Sequence, residues 1–126
     1  AAVGGDLDVI RNGTKNIGSE ALSEYILGQA SRENPFNLIG AMFIIEGLGR
    51  QVARRWGERI KDQLELDESQ IKFLLYHSES DDIHFERLDK AVQSGILTDE
   101  LVEDIVKTAK VVARLYVLQL EEIGNF

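Results

Sequence analysis

A chain of 126 residues is long enough for one domain with one core. Its composition, 44% hydrophobic and 29% charged, is that of a folded soluble protein rather than a disordered one. With no cysteine it can form no disulfide, thiolate metal site or cysteine nucleophile, and its net charge of -8 argues against broad binding to nucleic acid or anionic membranes.

The longest apolar run, 38–48, is interrupted by Glu46 and is too short to span a bilayer. No signal peptide is visible, and the expected setting is the cytoplasm. The chain begins with Ala1, which either removal of an initiator methionine or an upstream segment would explain.

Residues 1–18 carry four glycines and little periodicity and read as an irregular arm; 19–126 read as a helical-bundle domain. Ser19 is placed to cap a first helix, with Leu22, Tyr25 and Ile26 on its apolar face. Asn34-Pro35 restarts the chain as N-cap and first helical residue. The helix that follows, from about Pro35 to about Leu64, is apolar nearly all round in its first half, as a central helix is. Glu46 sits in that half, where an ionised carboxylate needs an ion pair or a metal. Arg50, one turn on, is the local ion-pair partner. Gly47 and Gly49 allow either close packing or room for a ligand. The second half is basic: Arg50, Arg54, Arg55, Arg59 and Lys61 form a solvated face or supply one arginine for a substrate carboxylate.

Asp67 to Gln70 has the pattern of a capping box, opening a third helix to about Gln93, with Gly95 as its stop. Thr98-Asp99-Glu100 opens a fourth, whose stripe is Leu101, Ile105, Ala109, Val112, Tyr116 and Leu120. No strand pattern competes. The expectation is an all-α bundle of about four helices.

The third helix holds both histidines of the chain, seven residues apart. At about 100° per residue, His77, Asp81 and His84 fall within about 60° of arc on one face. Gln70, Phe73, Leu88, Ala91 and Val92 continue that stripe, which reads as core-facing. Polar groups there are costly unless satisfied. Core histidines held by Asp81 and backbone carbonyls are one solution; a metal ion is the other. With Glu46, the set is two histidines and two carboxylates, suited to iron, manganese or zinc. Three of the four would make the two-histidine, one-carboxylate site of non-haem Fe(II). Tyr116 is a packing residue or a hydrogen-bond or redox group at the edge of the site.

Phe43-Ile44-Ile45-Glu46-Gly47 on an apolar helix, followed about thirty residues later by His77-x3-Asp81-x2-His84, resembles the haem-oxygenase-like diiron oxidases and oxygenases. The resemblance covers roughly 19–123 and corresponds to the C-terminal half of that domain. It implies a haem-oxygenase-like helical fold and one or two iron ions, with manganese as an alternative. It also implies O2-dependent oxidation of a small organic substrate. Glu46 would be a bridging carboxylate, His77, Asp81 and His84 the ligands of the later helix, and Arg50 and Tyr116 supporting residues. That family draws a further Glu and His from an earlier helix, and here no histidine precedes Glu46. A homodimer or a partner chain completing the bundle is therefore expected. The reading from another class is a non-catalytic helical domain, dimerising or binding a ligand, with structural histidines.

Overall fold

The computed structural model describes residues 4–125, and for 79–83 the backbone alone. Among the described residues there are six α-helices and no strand: α1 (Leu7–Asn12), α2 (Ile17–Ala30), α3 (Leu38–Leu48), α4 (Arg54–Gln63), α5 (Lys72–Gln93) and α6 (Asp99–Glu121). A π-helical segment, Gly49–Ala53, joins α3 to α4, and a 3-10 turn, Glu68–Ile71, leads into α5. The all-α class is as expected. The count differs because α1 lies in the glycine-rich arm and because the long second helix is broken by the π segment. No described helix is long and apolar enough to cross a membrane.

Local chemistry explains the boundaries. Asp6 caps α1, its Oδ1 accepting from Asp8 N at 2.8 Å. The cap of α2 is Asn16, not Ser19: Asn16 Oδ1 accepts from Ser19 N at 2.7 Å. Its amide also donates to the carbonyls of Gln119 and Glu122, each at 3.1 Å. A serine hydroxyl has one hydrogen and could not donate to both carbonyls while capping α2. Pro35 opens a tight turn, with Leu38 N donating to its carbonyl at 3.0 Å, and α3 proper begins at Leu38. The Asp67–Gln70 capping box is present, and Thr98 caps α6 through Leu101 N at 3.3 Å. Gly95 takes a left-handed φ of 73° after α5, a conformation glycine adopts without strain.

The chain divides into two compact units, one of residues up to Gly13 with Ile45–Arg87, the other of Thr14–Ile44 with Leu88 onward. The second unit is built on α2 and α6. Its core is Leu22, Ala41 and Val112, flanked by Tyr25, Ile26, Leu38, Ile44, Leu115 and Tyr116. Two glycines permit backbone contact there. A side chain at Gly18 would strike the main chain of Leu118 and Gln119, and one at Gly40 the carbonyl of Ile105. Asn37, 1% exposed, donates to Gln29 Oε1 at 2.7 Å and to Thr108 Oγ1 at 2.9 Å. An apolar hollow of about 250 Å³ lies between Gly40 and Phe43 of α3, Val92 of α5, and Ile105, Val106 and Ala109 of α6.

In the first unit fewer of the described residues are buried: Ala53, Gly57 and Ile71. A Cβ at Gly57 would stand 3.2 Å from Leu74 Cβ and 3.5 Å from Ile71 Cδ1, so α4 packs closely on the start of α5. The expectation of a helix buried all round fails for α3: Met42 is 46% and Ile45 41% exposed. High hydrophobicity there marks an uncovered face as well as a core one.

Candidate metal centre

Glu46 and both histidines fall in the first unit. Glu46 is the last acidic residue before the π segment, where one extra residue per turn shifts the helix register; such segments recur at functional sites. Its carboxylate is largely covered, with 19% of the side chain exposed. His84 Nδ1 lies 3.3 Å from Glu46 Oε2 and is 47% exposed. His77 Nδ1 lies 2.8 Å from the carbonyl of Phe73, one turn back on α5. The side chain of Asp81 lies outside the described residues. Among the described residues no three His, Asp or Glu side chains form a group that could hold a metal.

The core-facing stripe predicted on α5 is shifted in the structure. Leu88 is buried, but Phe73 is 71% exposed and Val92 37%. At about 100° per residue, Leu74 and Phe85 lie about 60° and 80° to one side of His77, and Phe73 about 40° to the other. Leu74 and Phe85 are the residues that meet α4 and α3, through Gly57 and Gly47. The histidines thus sit on the border of the packed face, where a ligand can reach them. The Cβ position of Gly47 is 3.9 Å from Phe85 Cε2, an ordinary packing contact.

Two features of the described donors are ones a metal ligand needs. Charge-assisted N–H···O⁻ bonds run to about 2.7–2.9 Å, and 3.3 Å is long for one. Two ligand atoms about 2.1 Å from one ion, and roughly 90–110° apart, stand about 3.0–3.4 Å from each other. Glu46 Oε2 and His84 Nδ1 have that spacing. Secondly, a carbonyl only accepts, so His77 Nδ1 donates to Phe73 and a neutral ring keeps its lone pair on Nε2.

Arg50 and Tyr116 have different settings. The Arg50 guanidinium carbon stands 5.5 Å from the Phe85 ring centroid, a cation–π contact beside the helix turn that carries His84. Tyr116 packs around the core of the second unit. Two aromatic residues adjoin His77: Phe73, which the sequence places on the same stripe, and Tyr76, which it does not. Phe73 stacks near His77, with centroids 4.3 Å apart and planes at 43°. Tyr76 meets it edge-on at 5.7 Å. The spacing Phe73–His77, four residues on a helix, was the available signal.

Comparison with known families decides the chain's affiliation. The model of the iron-containing redox enzyme family matches residues 2–117. The chain belongs to that family. The haem-oxygenase-like fold expected from the histidine motif is shown with it. The match includes α1 and the glycine-rich arm, so confinement of the resemblance to 19–123, as the C-terminal half of the domain, is not borne out. No curated protein and no solved structure matches the chain.

Proposed function

We propose that the protein is an iron-dependent oxidoreductase acting on a small organic substrate, with its metal held by His77 and His84, the intervening Asp81, and Glu46 facing them from α3. The observation that carries this reading is the pairing of Glu46 with His84 at 3.3 Å, between two helices of a chain in the iron-containing redox family. When bound, iron would supply O2 activation and electron transfer, with manganese as the alternative ion. The protein's own share is to present donors. His77 offers Nε2 because Nδ1 is committed to Phe73. His84 offers Nδ1 toward Glu46. Partial exposure at His84 leaves an approach for substrate, and Arg50 above Phe85 supplies a positive charge nearby.

The test is metal analysis after anaerobic incubation with Fe(II), for wild type and His84→Ala. Wild type is expected to retain iron and the variant to lose at least tenfold in affinity, the usual scale for site residues. Equal retention by both would sink the reading. For partners, we propose a second copy or another chain over the exposed Leu7, Val9 and Ile10 of α1, to be checked by light scattering of wild type and Ile10→Glu.

A further inference from the structure

We propose that Phe73 is a positioning residue for His77, selecting by its main chain which nitrogen the imidazole presents and by its ring how the imidazole is held. The inference rests on the iron-site reading and adds to it a residue whose exposure would otherwise mark it as replaceable.

Three observations converge on this one residue. Its carbonyl accepts from His77 Nδ1 at 2.8 Å. Its ring lies 4.3 Å from the imidazole, closer than Tyr76 at 5.7 Å. Yet Phe73 is 71% exposed, so burial in a core cannot be what the ring is for. The α-helix places residues four apart on the same face, one above the other, and side chains lean toward the helix N-terminus. His77 is thereby directed back over the turn that carries Phe73. The Phe73 carbonyl has two lone pairs, one for the helical N–H of residue 77 and one for the imidazole.

The consequence is chemical. A free neutral histidine exchanges between two tautomers and offers either nitrogen. With Nδ1–H tied to a carbonyl, Nε2 becomes the fixed acceptor, and a hydrogen bond at the non-ligating nitrogen orients a metal-bound imidazole. The phenyl ring alongside removes rotamers in which the imidazole would swing into solvent. His84 is held differently, with Nδ1 toward Glu46. His77 is thus met from within its own helix, by Phe73, and His84 by a carboxylate on another helix.

The test uses the whole protein, nitrogen-15 labelled and metal-free, in mildly alkaline buffer. Long-range proton–nitrogen correlation spectra tell Nδ1–H from Nε2–H. Wild-type His77 is expected as the Nδ1–H form alone. Phe73→Ala keeps the carbonyl but no longer holds the imidazole against it, so a mixture is expected, and Phe73→Tyr should match wild type. Anaerobic Fe(II) titration should show Phe73→Ala weaker by about tenfold, with Phe73→Tyr restored. Circular dichroism should be the same for all three. An Nε2–H tautomer in the wild type, or a Phe73→Ala protein in which either tautomer or Fe(II) affinity is unchanged, overturns the proposal. If Fe(II) binds wild type but not His77→Ala while Phe73→Ala is unaffected, the iron reading stands and the proposal alone falls. A wild type that binds no Fe(II) removes both.

Discussion

The two units of this protein use their buried positions in opposite ways. In the second, α2 and α6 are drawn together until backbone touches backbone at Gly18, and α3 meets Ile105 at Gly40. Polar groups inside are committed to holding helices: Asn16 links the start of α2 to the end of α6, and Asn37 joins Gln29 to Thr108. In the first unit fewer of the described residues are buried, the helix carrying Glu46 passes into a π segment, and both histidines stand at the border of the packed face. One unit spends its side chains on rigidity, and the other leaves donors reachable. A folded protein usually keeps its binding groups on such less-packed elements, held by a stiffer scaffold.

Substitutions in the two units should therefore fail in different ways. The largest expected effect is at Gly40. A methyl group there overlaps the Ile105 carbonyl, and helices must separate to admit it. Gly40→Ala should lose about 3 kcal/mol or more, at the upper end of overpacking costs. Thermal unfolding would show a large fall in midpoint, whereas a shift below a degree would break the contrast. Next is Thr108→Val, which keeps shape but leaves an Asn37 amide hydrogen without its acceptor in a site 1% exposed. A loss of about 1–3 kcal/mol is expected, with Fe(II) affinity per folded molecule unchanged. Glu46→Gln should do the reverse. It keeps the shape but removes a carboxylate oxygen from the 3.3 Å pair with His84. Fe(II) affinity should fall about tenfold or more while the denaturation midpoint barely moves. Chemical denaturation and metal titration on the same three variants would separate the two units' roles.

Much of this division is legible in the residues themselves. The capping box at Asp67, the stop at Gly95 and the start at Thr98 follow from local hydrogen bonding, because a cap needs only its own neighbours. The stripe Ile105–Val112 on α6 was equally plain. What periodicity could not give is the angle of α5. His77 and Leu88 lie about 20° apart on the wheel, so one stripe fits both a buried and a bordering histidine. Only the partners of Leu74 and Phe85, which are Gly57 and Gly47 on other helices, decide between them. The cap of α2 is hidden from the sequence for a similar reason. Ser19 satisfies the local rule, but Asn16 also satisfies carbonyls more than a hundred residues away. The π segment left no trace in composition. An isolated carboxylate in an apolar run demands a partner whatever the fold, but the run itself offers only Arg50 or a metal, and the contact of Glu46 with His84 comes from the packing of two helices.

The smallest expected effect lies at the entry to α5, where the first unit does depend on a local polar device. Asp67 accepts from Ser69 Oγ at 2.5 Å and from Ser69 N at 2.8 Å. The hydroxyl of Ser69, helped by backbone N–H groups of Ser69 and Gln70, holds the Asp67 carboxyl below its ordinary 3.8. A carboxyl lowered in the folded state favours folding above the unfolded value and loses that contribution as pH falls through the folded one. The increment is thus present at neutral pH and disappears in acid below about 3.8. Because Asp67 is at the surface, solvent screens it and the effect is small. Asp67→Asn keeps a capping oxygen but removes the titration. Urea midpoints of wild type and Asp67→Asn should differ slightly at pH 7 and converge as the pH falls well below 3.8. A gap that persists in acid would mean that the cap's shape, not its charge, anchors the histidine helix.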